Sequence, residues 1–424
     1  MIGSDDSKLV TRRRFVAAAS GLSLVGLGVT VDNVPAPKAE TNWTTDEGSR
    51  RPVVLRMKDD QTLYLATENA LVAKSSEDGS EKWRFTEIGD YPFVAPRHVG
   101  DDSLLVPGEK RICCVDTTTG SQQWQFELTK SDTRVQPWLF DGRAYVADDA
   151  LHVLSAETGT VEWTFAPPTP ISETLPTDES VYVGTNEGTV SALSVDTGDE
   201  QWRFTASGPL GRSYAALTSI DVSSPDDSTG GDQFESIYAW ARGDNRLYSI
   251  SRSDGTERWQ FTSDSGHVVF PGVATTERVY LVDGSEYLAL SPVDGSVEWT
   301  FDADESLKWF SSVEDGTAYV HTDSELHAIE TSDGTRRWRF ELDSSQAPVV
   351  PDAGVRRMRG DDPVTSVVAL DSQSGSVRWT LDAPEQFESA LVGTDDVYLG
   401  TTTGTVSSVA GPNSLAATIR RAVR

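Results

Sequence analysis

A glycine followed four residues later by a tryptophan recurs eight times in this chain of 424 residues. The pairs are Gly79/Trp83, Gly120/Trp124, Gly159/Trp163, Gly198/Trp202, Gly255/Trp259, Gly295/Trp299, Gly334/Trp338 and Gly375/Trp379. Successive tryptophans stand 41, 39, 39, 57, 40, 39 and 41 residues apart. Two residues beyond each lies a phenylalanine, replaced by Leu381 after the last. A fixed period near forty means that one supersecondary unit is repeated, and that its neighbours must cover the apolar faces it cannot bury alone.

Residues 181–204 show what one unit is. Val181-Tyr182-Val183 is β-branched and aromatic, hence strand-forming. Asn186-Glu187-Gly188 is a hairpin turn whose glycine supplies positive φ. Thr189 to Val195 alternates into a second strand, and Asp196-Thr197-Gly198 turns into a third carrying Trp202 and Phe204 on one face. A looser apolar strand leads into the following unit, making a four-stranded antiparallel sheet of about forty residues. No window sustains a helical period, so helical solenoids and α/β folds are excluded. Radial stacking into a closed ring is the solution for such sheets, a β-propeller. The tryptophans are expected to fill the space between neighbouring blades, where an indole buries about 200 Å².

The pattern Ala-Leu-Asp-x-x-Thr-Gly-x-x-x-Trp resembles the quinoprotein-type (pyrroloquinoline quinone, PQQ-like) propeller repeat. It is clearest from Ala369-Leu370-Asp371 to Gly375 and Trp379, and good from Ala192-Leu193 to Thr197-Gly198 with Trp202. The resemblance spans roughly residues 43 to 410. It implies an all-β, single propeller, and its users are quinone-dependent dehydrogenases and non-enzymatic scaffolds similar to the BamB subunit of outer-membrane assembly. Trp43 lies forty residues before Trp83 and reads as a last-strand tryptophan without its preceding strands. Residues 387–410 hold three strands of a unit and no tryptophan. The two fragments complement each other, so N- and C-terminal strands are expected to close the ring. That arithmetic gives nine units, whereas the resemblance favours the family's usual eight blades. The expected layout is a signal or anchor with linker over 1–40, propeller over 41–411 with a loop insertion at 207–236, and a tail over 412–424.

Charge limits the partners. Against 66 acidic residues stand 36 basic ones, only eight of them lysine, for a formal net charge of −30. Binding nucleic acid needs a cationic face, so that class is excluded. Excess carboxylate with little lysine resembles haloarchaeal proteins and others from brines, where the Debye length shrinks to roughly 3 Å at 1 M salt. Thr11-Arg12-Arg13-Arg14-Phe15-Val16 resembles a twin-arginine export signal, with Arg12 and Arg13 as its pair, and an apolar stretch rich in Ala, Gly and Leu runs to Val31. Export to the cell surface or medium is expected, with membrane association through this segment if it stays uncleaved.

The catalytic vocabulary is thin. Quinoprotein dehydrogenases similar to this family set a disulfide of adjacent cysteines against their quinone, which draws attention to Cys113-Cys114. Yet ten residues before the motif tryptophans stand Ala73, Cys114, Val153, Ala192, Ser249, Ala289, Ala328 and Ala369, so Cys114 fills a small-residue slot of the repeat. Cys113 precedes it on the strand and points to the opposite face. Of the five histidines (His98, His152, His267, His321 and His327), His152 and His327 share one repeat position, eleven before a motif tryptophan. No metal-ligand spacing, nucleophile elbow or phosphate loop occurs. The polar run from Ser223 to Asp232 reads as a surface loop, its spacing unlike an EF-hand Ca²⁺ loop. No cofactor is therefore expected, neither PQQ nor Ca²⁺, and no catalytic residue is nominated. The chain reads as an exported, non-catalytic scaffold for an extracytoplasmic protein or peptide. The alternatives are a PQQ-dependent dehydrogenase, or a glycan-binding protein using Trp138, Trp240 or Trp309.

Overall fold

A computed structural model describes residues 38–48, 53–58, 61–67, 69–87, 102–108, 110–129, 137–206, 215–218, 236–241, 245–263, 270–308, 311–350, 355–356, 364–383, 385–393 and 396–410. All lie in the compact unit Ala36–Arg424. Their regular structure is entirely strand, grouped into nine sheets. In chain order the sheets span 53–85, 103–127, 138–165, 171–205, 215–262, 270–302, 311–341, 346–382 and 387–410, the ninth completed by Thr41–Asp46.

The fourth sheet shows why these residues form this unit. Its strands Ile171–Pro176, Ser180–Thr185, Thr189–Ser194 and Glu200–Thr205 pair antiparallel in sequence order from the inner edge outward. The second strand is buried along its whole length and the third at its four central residues, because sheets cover both their faces. The outer strand alternates, with Trp202 inward opposite Ala192. Gly198 closes the turn before it at φ 73°, its N–H donating to Ser194 O at 2.9 Å. That left-handed conformation is one glycine adopts without strain.

Two departures from the expected layout have physical reasons. In the eighth sheet the order is Val355–Arg356, Gln346–Val350, Ser366–Leu370, Val377–Asp382, and Gln346–Val350 runs parallel to Ser366–Leu370. The second position of a sheet is buried on both faces, and Val355-Arg356-Arg357-Met358-Arg359 is too cationic to fill it. Gln346–Val350 fills it instead, with Ala347, Val349 and Val350 fully buried, and Val355–Arg356 takes the edge. The wholly antiparallel expectation is therefore corrected at this one sheet. The second departure is the insertion placed at 207–236. Residues Ala215–Thr218 within it form the inner strand of the fifth sheet and Ser236 begins the next strand, so the extra length falls between 218 and 236. The second sheet has three strands among the described residues.

Strand Thr41–Asp46 pairs antiparallel with Thr405–Ala410, placing Trp43 opposite Ser408, so the two ends of the sequence share one sheet. Apolar clusters join each sheet to the next, from the first and second onward through the eighth and ninth. A ninth cluster returns from Tyr398, Val406 and Trp43 to Leu63, Leu65 and Val72 of the first sheet. The favoured count of eight blades thus gives way to nine sheets among the described residues. Residues 387–410 hold three strands of the ninth sheet, and Thr41–Asp46 supplies the fourth.

Candidate functional site

The repeated residues are consumed in joining sheets. A Cβ added to any of the eight motif glycines would lie 2.4–2.6 Å from the indole of the preceding sheet's tryptophan: Gly79 meets Trp43, Gly120 Trp83, Gly159 Trp124, Gly198 Trp163, Gly255 Trp202, Gly295 Trp259, Gly334 Trp299 and Gly375 Trp338. Each of those eight indoles also donates Nε1–H to a backbone carbonyl of the next sheet's outer turn, at 2.7–3.0 Å. Glycine is needed there twice over, for positive φ and for the space the ring occupies. Trp379 differs: it is 7% exposed, and its Nε1 has no hydrogen-bond partner among the described residues. Export residues Arg12 and Arg13 lie outside the described residues.

The adjacent cysteines do not fit a quinone platform. Cys113 packs with Trp83 and Phe85 of the first sheet, whereas Cys114 packs with Leu154 of the third. Both are free thiols, and burial pushes each up to about 11, so they stay protonated near neutral pH. His152 and His327 pack at a tilt against Phe126 and Phe301 of the preceding sheets, ring centroids 5.1 and 5.3 Å apart. His327 is fully buried, and burial, then Arg336 and Arg339, lowers it to about 4. His321 is buried with Nδ1 3.3 Å from Thr322 O, and His98 and His267 lie outside the described residues. Among the described residues no group of three or more His, Cys, Asp or Glu could hold a metal ion. No described helix is long and apolar enough to cross a membrane.

What the packing leaves partly open is the inner edge of the third, fourth, seventh and ninth sheets, where the innermost side chains are described. Inner strands of consecutive sheets lie side by side where described, as Ile171–Pro176 does beside Ala215–Thr218 and Phe387–Val392 beside Val53–Lys58. Trp138 and Leu139 of the third sheet are half-buried there and Phe140 is 36% exposed, with Ile171, Val313, Leu391 and Val392 partly open on other inner strands. The inner strands carry Arg56, Lys58 and Arg356 against Glu173, Glu314 and Glu388, a balance absent from the chain as a whole. Burial, then the neighbouring charge of Asp315, raises the Glu314 carboxyl above its ordinary range. This edge was not legible in advance, because its residues follow no repeat. Of the aromatics nominated for glycan binding, Trp240 is corrected: it is 2% exposed, inside the cluster of the fifth and sixth sheets. Trp138 packs against the cluster between the third and fourth, and Trp309 lies outside the described residues.

Stacked four-stranded sheets returning on the first, joined by tryptophan on glycine, define a β-propeller of the quinoprotein-type repeat. The chain belongs to the family of the outer membrane protein assembly factor BamB, which it matches over residues 28–137, 108–232 and 243–364. No curated protein matches the sequence. Among solved structures, BamB from Moraxella catarrhalis is similar at 14% identity and a TM-score of 0.51, covering 88% of this chain and 100% of that one. The computationally designed Ika8 protein is similar at 10% identity and 0.55, covering 88% and 99%. Quinohemoprotein alcohol dehydrogenase from Comamonas testosteroni is similar at 12% identity and 0.51, covering 88% and 76%. At these identities the likeness is one of fold.

Proposed function

We propose that this protein is an exported, non-catalytic propeller that holds another protein, or an extended peptide of one, at the cell surface. The observation that carries the reading is the described inner edge, apolar and partly exposed at Trp138, Leu139, Phe140, Ile171 and Val313 in a chain of net charge −30. A rigid edge of that kind suits a polypeptide whose side chains alternate between apolar and either charge. Membership of the BamB family supports a protein partner, and the twin-arginine-like segment around Arg12 and Arg13 supports export. The buried thiols, packed against opposite neighbouring sheets, support a binding role over quinone chemistry.

The test is capture from native cell envelopes in molar salt, comparing the wild type with Phe140→Glu. One polypeptide retained by the wild type and lost by the variant is expected. Equal capture by both would remove the inner edge from the reading. In parallel, the purified protein receives PQQ and Ca²⁺; a quinone spectrum with dye reduction would replace the scaffold by a dehydrogenase.

A further inference from the structure

One seam of the ring is built differently from the rest. At four other seams the residue four beyond a motif tryptophan meets, across the seam, the residue nine before the next one. Leu128 thus shares a cluster with Leu154, Ala206 with Ile250, Ala303 with Ile329 and Leu342 with Leu370. The slot nine before a motif tryptophan reads Val115, Leu154, Leu193, Ile250, Leu290, Ile329 and Leu370, but in the first sheet it is Lys74. Facing it from the ninth sheet, four beyond Trp43, is Glu47, whose Oε1 lies 2.8 Å from Lys74 Nζ. The two side chains are 6% and 2% exposed. Arg84 Nη2 lies 3.3 Å from Glu47 Oε2, Lys74 also donates to Gly79 O, and the Glu47 N–H donates to Gly404 O of the ninth sheet.

A buried ion pair is a weak source of net stability, but an unpaired buried charge is strongly unfavourable, which makes such pairs suited to choosing between alternatives. The alternative here is concrete. Every sheet from the first to the eighth has its own outer tryptophan strand, so the eighth could in principle close directly on the first, leaving residues 41–46 and 387–410 outside an eight-sheet ring. Trp379 would then meet Gly79, and Lys74 would face Ala383, the residue four beyond Trp379. Apart from Glu87, which follows Trp83 on the first sheet itself, that position elsewhere along the chain is held by Leu128, Pro167, Ala206, Ser263, Ala303, Leu342 and Ala383, none of which could neutralise a buried ammonium.

We propose that the Glu47–Lys74–Arg84 group fixes the number of sheets in the ring, by making the ninth sheet the one acceptable neighbour of the first. The variant Glu47→Leu with Lys74→Leu gives this seam the same apolar pair as the others and removes the choice. Hydrogen exchange read by mass spectrometry on the full chain tests it. In the double variant, segments 38–48 and 387–410 are expected to exchange at least about tenfold faster in a distinct population, while 53–382 keeps its protection. A purely stabilising pair would instead change protection across the whole chain. Wild-type protection at both end segments, or a uniform loss everywhere, would overturn the proposal. Glu47→Gln with Lys74→Met removes both charges at nearly constant volume and is read in the same way should the leucine pair not fold. If neither variant folds, the group is a requirement for folding and not a selector, and the proposal falls.

Discussion

Gly198→Ala separates the two demands made on a motif glycine. At φ 73° any L-residue is disfavoured, by roughly 1–2 kcal/mol. The new Cβ would also stand 2.4 Å from Trp163 Cε3 and 2.7 Å from Cδ2, where ordinary contact begins near 3.4 Å. The indole has nowhere to go: it is 8% exposed, packed among Val153, Val181 and Leu193, and tied by Nε1–H to Val195 O at 3.0 Å. Forcing a methyl into such a site costs about 1–3 kcal/mol more, for a total of about 2–5 kcal/mol. Gly316→Ala is the control, since its φ is 72° but its nearest neighbour would be Thr331 Oγ1 at 3.8 Å, leaving only the backbone part. Urea unfolding in molar salt, followed by tryptophan fluorescence, measures both. In a Trp163→Leu background the excess at Gly198 should shrink towards zero, because the clashing ring is gone. Equal losses at Gly198 and Gly316, or an excess that survives removal of the indole, would refute the double role.

Trp163→Phe removes an indole N–H and strands Val195 O, for a loss of about 1–3 kcal/mol beyond the smaller ring, whereas Trp379→Phe gives up no such bond and should cost visibly less in the same unfolding assay. Cys113 and Cys114 should resist thiol reagents at pH 8 until the protein is denatured, when both label. Because their folded values are raised to about 11 from an ordinary 9, the stability they contribute is complete below pH 9 and lost as pH climbs towards 11, an alkaline slope that Cys113→Ala with Cys114→Ala should flatten. His327 runs the other way: lowered from 6.5 to about 4, it stays neutral in the fold while the unfolded chain takes up a proton. Its contribution is therefore whole above pH 6.5 and lost as pH falls to 4, and His327→Leu should remove that part of the acid slope in unfolding midpoints measured from pH 7 to 4.5. Dialysis from molar to low salt should lower the melting temperature, through unscreened repulsion within a chain of net charge −30; an unchanged melting curve would sink the halophilic reading.

The sequence made the unit legible because its constraints are local and repeated. Turn glycines, strand alternation and the tryptophan two residues before a phenylalanine all act within forty residues, and eight copies make coincidence untenable. The pairing of the first described strand with the last was readable from Trp43 for the same reason, as one more beat of the period. The eighth sheet was not, because the exchange of Gln346–Val350 and Val355–Arg356 depends on which segment can tolerate burial on both faces. That is a tertiary competition, and both segments look like strands. The inner edge was illegible on different grounds. Phe140, Ile171 and Val313 occupy it without any shared residue type, and periodicity says nothing about positions where the units disagree.

That disagreement is where the individuality of the chain resides. A position that repeats does so because the same neighbour meets it at every seam, so its residue is dictated by packing and carries no information about a partner. A position that breaks the pattern at one seam answers to something met only there. Lys74, in a slot otherwise held by Val, Leu or Ile, answers to Glu47. Asp148 and Asp283, buried where the fourth sheet has Thr185, answer to Thr129 and Ser263, which donate to them at 2.5 and 2.6 Å. Phe140, 36% exposed on its inner strand, has no such counterpart among the described residues. Exceptions satisfied within the fold explain how it assembles. Phe140 is the exposed large apolar side chain that the described residues place on an inner strand, and that is why the capture experiment turns on it and not on any of the repeated tryptophans.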